Sequence, residues 1–189
     1  MPKRKNKKVK NKNQIRQNIT NRKSVKEDFR IVLENENWLR TCKIDKENFT
    51  NMYSDYRSLA KTLTKVMTEL LPDIEKNGYD IFNKQNIYYS RTAHCHLVDK
   101  SKFEIVQKIV NEINDRELDI FSDEEKKLWQ YGITGGIRII CIYDQANNNV
   151  HPLFIDPHHL IHSSIKYNQQ DVMTNHLCPV KTFNENSFE

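Results

Sequence analysis

The chain has 189 residues, of which 37% are hydrophobic and 29% charged, and its mean hydropathy is −0.80. Four Gly and five Pro exclude a collagen-like or Pro/Gly-rich chain. The sequence has no apolar run of about 18 residues, which excludes a transmembrane helix. Four Cys without a CxxC motif predict neither a disulfide framework nor a zinc ribbon. We therefore predict a one-domain cytoplasmic protein with no membrane partner and no cofactor.

The net charge of +5 is distributed unevenly along the chain. Residues 1–26 hold eleven of the 30 Lys and Arg and no acid, so the rest of the chain carries 19 basic and 25 acidic side chains. A cationic, Asn-rich stretch buries too little apolar surface to fold, so we predict that residues 1–23 form a disordered basic arm. This arm either attracts nucleic-acid phosphates or keeps the protein soluble. The candidate nucleic-acid-binding residues are Lys3, Arg4, Lys5, Lys7, Lys8 and, beyond the arm, Arg91.

Helical patterns follow the arm. Ser24 and Glu27 have capping-box spacing, which predicts a first helix to about Leu39 with Trp38 as a core anchor. Apolar residues spaced three and four apart predict a second helix from about Asp45 to Pro72. They are Phe49, Met52, Tyr53, Tyr56, Leu59, Leu63, Val66, Met67, Leu70 and Leu71. We interpret this stripe as core packing, and a partner-binding groove or a dimer helix is the alternative.

β-Branched and aromatic residues become frequent after Gly78. They predict a strand within residues 87–98. Two further capping boxes predict helices. These are Ser101 with Glu104, before the apolar pattern of residues 103–113, and Ser122 with Glu125, before a short helix with Leu128 and Trp129.

A β-hairpin is predicted near the C-terminus. Residues 137–144 and 150–156 are apolar runs joined by turn-forming residues. The first run is apolar at both alternating sets of positions, which predicts a central strand covered on both faces. Asp156 and Pro157 have the identities expected at an N-cap and the first helical position, so a turn of helix is expected through HHLIH.

These elements predict a single α+β domain over residues 24–162. Its N-terminal helices would lie beside a small antiparallel sheet built around the C-terminal β-hairpin. We expect residues 163–189 to form a polar C-terminal tail.

Histidines are the main candidates for chemistry. All seven lie after residue 93, and four lie within residues 151–162. Imidazole exchanges protons near neutral pH, so His158, His159 and His162 are candidate catalytic acid–base residues. On a helical turn, His158 and His162 would share a face and could bind zinc together with Asp156. The spacing matches no established zinc motif, and we assign no metal ligand; half-buried histidines bonded to the backbone are the remaining alternative.

Arg138 is a charged residue within an apolar strand. A buried guanidinium needs a partner, so Arg138 either pairs with Asp144 or Asp156 or binds a phosphate, with Arg91 adding to such a clamp. Cys95 and Cys141 are predicted to be small buried hydrophobic residues.

The segment WQYGITGGIRIICIYDQANNNVHPLFIDPHHL, after a predicted helix, resembles the C-terminal half of RelE/ParE-type toxins. In that family, antiparallel strands follow a helix, one strand carries an Arg amid apolar residues, and the closing strand ends in His, Lys, Arg or Tyr near the RNA. Arg138 matches that Arg, and His158, His159 and His162 fall at the end of the closing strand. The segment HCHLVDKSKFEIVQKIV also resembles small proteins of low-GC bacteria.

The resemblance implies a toxin-like, RNA-acting protein, and a metal-independent endoribonuclease is our leading hypothesis. One His would deprotonate a ribose 2′-OH, another would protonate the leaving oxygen, and Arg138 would stabilise the charged phosphate. RNA or the ribosome would be the target, and an antitoxin a protein partner. The alternative is a noncatalytic interaction module, such as a phage-defence or anti-defence factor, which suits the acidic body. A metal-dependent hydrolase is the third hypothesis.

Overall fold

The computed structural model describes residues 29–82, 94–121, 126–133, 135–163 and 172–185. The basic arm, Arg91, and Ser24, Ser122 and their capping-box partners lie outside these ranges. The strands are β1 (Arg30–Ile31), β2 (Lys43–Ile44), β3 (Phe49–Thr50), β4 (His96–Leu97), β5 (Lys126–Tyr131), β6 (Arg138–Asp144) and β7 (Asn149–Asp156). The α-helices are α1 (Tyr56–Lys65), α2 (Leu71–Phe82), α3 (Phe103–Asn114) and α4 (Pro179–Glu185).

Five strands form a mixed sheet in the order β1-β7-β6-β5-β4. Strand β1 pairs with β7 in parallel, and the other neighbours are antiparallel. Strands β2 and β3 form a separate antiparallel pair. The α+β prediction and the hairpin of β6 and β7 are confirmed.

Strand β6 lies at the centre of the sheet and is buried along its whole length. Ile139, Cys141 and Tyr143 face a core that contains residues of α2 and the segment joining it to α1. Ile140 and Ile142 face a second core built with α3. The prediction of a central strand covered on both faces is therefore confirmed. Cys95 and Cys141 are buried, as predicted.

The first predicted helix is wrong. Arg30 and Ile31 form strand β1 against Asn149 and Val150 of β7. Trp38 is nevertheless buried in the core, as expected of an anchor. The short apolar pattern was compatible with both a helix and a strand, and pairing with β7 at the edge of the hairpin makes it a strand.

The second helix begins eleven residues later than predicted, at Tyr56. Asp55 is its N-cap, because the Asp55 carboxylate accepts a hydrogen bond of 2.7 Å from the backbone N–H of Ser58. Phe49 lies in β3, and Tyr53 forms an isolated bridge with Leu177. Both side chains are buried outside the helix, so their apolar spacing reflected burial rather than a helical face.

Pro72 does not end the helix. Residues Val66–Leu70 form a π-helical segment between α1 and α2, with Leu71 N–H donating to the carbonyl of Val66. Proline lacks an N–H and its ring clashes with the carbonyl four residues earlier, and a widened turn just before it relieves that clash. The helical path therefore continues to Phe82.

Two later predictions had different outcomes. Helix α3 is confirmed, with Val106, Ile109, Val110 and Ile113 buried. The short helix at Leu128 and Trp129 is wrong, because both residues lie in β5 between β4 and β6.

The segment predicted as a polar tail contains ordered contacts with the body. Leu177 exchanges two backbone hydrogen bonds with Tyr53, at 3.1 and 3.0 Å. Cys178 is buried, and helix α4 follows it. No helix within the described ranges has the length and apolar character needed to cross a membrane.

Candidate functional site

Three strands bring polar side chains together at one end of the sheet. His96 of β4 is the cross-strand partner of Gln130 of β5, and Gln130 is the partner of Ile140 of β6. The Nε2 atoms of His96 and Gln130 lie 3.1 Å apart. His94 lies in the turn just before β4, and its Nδ1 is 2.9 Å from Arg138 Nη2. Strand pairing therefore creates a site that no single segment contains.

The loop after β7 supplies the other half of the site. The Asp156 carboxylate accepts hydrogen bonds from the backbone N–H groups of His158, Leu160 and Ile161, at 3.3, 3.1 and 3.0 Å. His159 has a left-handed backbone with φ 58°. The predicted turn of helix through HHLIH is therefore wrong. Residues 157–163 form an irregular loop, and the hydrogen bonds to Asp156 hold its backbone in place.

This loop separates the predicted catalytic histidines. His159 Nε2 lies 3.4 Å from Gln130 Nε2, and the ring of His162 packs edge-on against that of His96 with centroids 4.8 Å apart. The His158 ring instead donates a 2.7 Å hydrogen bond to the carbonyl of Met52. We call the assembled set the histidine cluster: His94, His96, His159 and His162, with Gln130 and Arg138.

Arg138 is a buried cation in this cluster, with only 2% of its surface exposed. Its Nη1 donates to the carbonyls of Gly135 and Ile137 at 2.6 and 2.8 Å, and its Nη2 donates to His94 Nδ1 at 2.9 Å. Because a guanidinium can only donate, His94 accepts at Nδ1 and carries its hydrogen at Nε2. Arg138 thus positions the turn before β6 and the ring of His94.

The partners suggested for Arg138 have other main roles. Asp144 accepts backbone hydrogen bonds from Ala146 and Asn147 and stabilises the hairpin turn. Asp156 is the register partner of Arg138, and its negative charge favours the charged guanidinium. Burial acts in the opposite direction and lowers the pKa of Arg138 overall.

Burial and positive charge favour the neutral form of three histidines of the cluster, His94, His159 and His162. Burial, together with the charge of Arg138 and the neighbouring imidazoles, lowers the pKa of His159 to about 4. Burial likewise lowers the pKa values of His94 and His162. Neutral imidazoles carry a lone pair that accepts a proton, so at neutral pH these side chains are suited to act as bases.

Three polar atoms of the cluster are buried and make no hydrogen bond within the described part of the chain. They are Gln130 Oε1, Arg138 Nε and His162 Nε2. Buried polar atoms are normally satisfied by hydrogen bonds, so these three atoms are the unsatisfied donors and acceptors of the cluster.

The zinc set considered from spacing does not form. His158 and His162 do not share a helical face, and the Asp156 carboxylate accepts three backbone hydrogen bonds. Across the described ranges, no group of three or more His, Cys, Asp or Glu is arranged to hold a metal ion.

The sequence analysis missed His94, His96 and Gln130 as site residues. The i, i+2 spacing of the two histidines predicts one face of a strand, but only His96 lies in β4, and His94 joins the cluster from the preceding turn. Gln130 gave no such signal, because its segment was expected to be helical and strand pairing alone brings it beside His96.

The chain matches the family described as uncharacterised protein UU032 over residues 34–185. It is similar to the uncharacterised protein UU032 of Ureaplasma parvum serovar 3, with 27% identity over 183 residues that cover 95% of this chain and 97% of the relative. No solved structure matches the chain. These findings agree with the expected similarity to small bacterial proteins, and they give no relationship to RelE/ParE-type toxins.

Proposed function

This chain belongs to the UU032 family, and we propose that it is a metal-independent, toxin-like endoribonuclease whose histidine cluster transfers protons. One observation carries the proposal: His96 and His159, which are far apart in the chain, direct their Nε2 atoms at one amide beside a buried cation. Partly buried imidazoles next to fixed charge are typical of sites that move protons.

In the proposed reaction, His159 takes the proton of a ribose 2′-OH. The 2′ oxygen then bonds to the adjacent phosphorus, the bond from phosphorus to the 5′ oxygen breaks, and the cluster returns a proton to that leaving oxygen. The products are a 2′,3′-cyclic phosphate and a 5′-hydroxyl end. The 2′-OH distinguishes RNA from DNA, so the substrate class follows from the chemistry.

Arg138 has a different role here from the direct phosphate clamp that its position in the strand suggested. Its guanidinium is buried and donates to two carbonyls and to His94. Its positive charge keeps His159 unprotonated before the reaction, and it orients His94, whose Nε2–H is a donor for a phosphate oxygen.

RNA attraction is assigned to the basic arm. Eleven Lys and Arg in residues 1–26 precede a body with an excess of acidic side chains. Phosphate contacts of this kind hold a nucleic acid without reading its bases, and counterion release makes them sensitive to salt. RNA or ribosomes in the cytoplasm are the proposed targets, and an antitoxin is the proposed protein partner.

Single alanine variants test the proposal. His159→Ala should lower the rate of RNA cleavage in EDTA by about 100-fold or more, and His96→Ala should act on the same step, so the double variant should lose little further. The matched control is His176→Ala, at an exposed position. His158→Ala should retain cleavage per folded molecule, because its ring contacts Met52 instead.

Equal cleavage by wild type and His159→Ala would overturn the assigned base. Binding of RNA without cleavage by the wild type would favour the noncatalytic interaction module. Cleavage abolished by EDTA and restored by zinc would favour the metal-dependent hydrolase.

A further inference from the structure

The side chain of Gln130 lies between two histidines of the cluster and is buried, with 1% of the residue's surface exposed. Its side-chain nitrogen lies 3.1 Å from His96 Nε2 and 3.4 Å from His159 Nε2. A primary amide nitrogen carries two hydrogens, so one Gln130 side chain can donate to both imidazoles.

The orientation of this amide follows from His96. His96 Nδ1 lies 2.8 Å from the carbonyl oxygen of Leu97, and a carbonyl oxygen can only accept. His96 therefore carries a hydrogen at Nδ1, and in the neutral ring its Nε2 is a bare acceptor. That acceptor requires the nitrogen of Gln130 to face it, rather than the oxygen.

His159 receives the second amide hydrogen. Its Nε2 is then also a bare acceptor, and its own hydrogen is placed at Nδ1. His94 has the opposite arrangement, because Arg138 donates to its Nδ1. His96 and His159 therefore carry their hydrogen at Nδ1, whereas His94 carries its hydrogen at Nε2.

We propose that Gln130 is a positioning residue: it holds His159 in the same Nδ1–H tautomer that the Leu97 carbonyl gives His96, and so presents both Nε2 atoms as proton acceptors. The tautomers themselves stand on the hydrogen-bond geometry, whereas the catalytic use of His159 rests on the proposed ribonuclease function. The 3.4 Å contact to His159 is the longer of the two, so a substrate hydroxyl displaces the amide there at lower cost than at His96.

The direct test is ¹⁵N NMR of the full-length protein at neutral pH, because a bare ring nitrogen and an N–H nitrogen have different chemical shifts. The expected result is bare Nε2 in His96 and His159 and bare Nδ1 in His94. A hydrogen on Nε2 of either His96 or His159 would overturn the inference without any variant.

Two variants separate positioning from mere packing. In Gln130→Met, which keeps volume and removes both hydrogens, His159 should lose its tautomer preference and kcat should fall about tenfold, with KM nearly unchanged. In Gln130→Glu, a carboxylate accepts instead of donating, so His159 should carry its hydrogen at Nε2, and His96, whose Nδ1 hydrogen bonds to the Leu97 carbonyl, should gain a second hydrogen at Nε2. Gln145→Glu, in the exposed hairpin turn, is the matched control and should change neither tautomers nor kcat.

The outcomes keep the two proposals apart. Expected tautomers in a wild-type protein that leaves RNA intact would overturn the ribonuclease and support the assignment of Gln130. RNA cleavage with unchanged tautomers and kcat in Gln130→Met would overturn the role of Gln130 and leave the ribonuclease standing. If Gln130→Glu does not fold, the wild-type spectrum and Gln130→Met decide.

Discussion

Gly132 lies against the side chain of Arg138. A Cβ atom at Gly132 would come within 2.8 Å of Arg138 Cδ and 2.9 Å of its Nη1. The absence of a side chain at this position, just after β5, therefore leaves room for the guanidinium to reach His94, whose Nδ1 lies 2.9 Å from its Nη2.

Gly132→Ala should displace Arg138 and destabilise the protein by about 1–3 kcal/mol, because a methyl group would enter a closely packed, buried site. Chemical denaturation measures the effect. Gly136→Ala is the matched control, since its added Cβ would meet ordinary contact at 3.6 Å and should cost less. The same Cβ would lie 2.8 Å from the Ile137 carbonyl oxygen, so equal stabilities of the two variants would show that Arg138 and this carbonyl both adjust without cost.

The stability of the protein should fall as the pH is lowered from about 6.5 to 4. His159 has a pKa of about 4 when folded and an ordinary value of 6.5, so in this range the unfolded chain binds more protons. The contribution of neutral His159 to the free energy of unfolding is fully present above pH 6.5 and is lost as the pH falls to the pKa of the folded protein, about 4. The loss should be about 1–2 kcal/mol, after allowing for partial exposure of the ring.

Comparing the wild type with His159→Asn isolates this contribution from other titrating groups. Both are unfolded with urea at a series of pH values. The variant should have the shallower dependence of unfolding free energy on pH between 6.5 and 4. Parallel curves would mean that His159 titrates normally in the folded protein.

Asp156→Ala should loosen the loop that carries His159 and His162. It removes the acceptor of three backbone N–H groups, and we expect a destabilisation of about 2–4 kcal/mol. Hydrogen exchange should show early loss of protection at the amides of Leu160 and Ile161. Asp156→Asn keeps one accepting oxygen and should fall between the wild type and the alanine variant; unchanged protection in Asp156→Ala would contradict the anchoring role.

Removing residues 1–23 should weaken RNA binding and flatten its salt dependence, because that segment carries ten Lys and Arg and no acid. The unfolding temperature should change little if the segment contributes charge rather than packing. Titration of labelled RNA at several salt concentrations, with thermal unfolding alongside, measures both. A variant in which those lysines and arginines become Gln separates charge from length.

The sequence predicted the hairpin and helix α3 correctly because their patterns are local. Residues 137–144 are apolar on both faces, which only a covered central strand explains well. Helix α3 has apolar residues at regular helical spacing, and all of its buried ones pack in a single core. Strands β1 and β5 were mistaken for helices because their identity comes from pairing with distant strands.

Only part of the candidate site was predicted, because the rest depends on contacts between residues that are distant in the sequence. His159 and His162 were identified from a dense local pattern and Arg138 from its charge within an apolar strand, and the structure places all three in the cluster. His158, named by the same histidine pattern, contacts Met52 instead. The role of Gln130 depends on its register with His96, and the separation of His158 from His159 depends on hydrogen bonds to Asp156. Neither relationship can be read from residue spacing.

The central claim is tested most directly by incubating purified full-length protein with a single-stranded RNA in EDTA and identifying the new ends. We predict 2′,3′-cyclic phosphate and 5′-hydroxyl ends, no cleavage at a position where a 2′-deoxy nucleotide replaces the ribose, and a loss of about 100-fold or more in rate with His159→Ala. Intact RNA, or the same cleavage by wild type and His159→Ala, would contradict it.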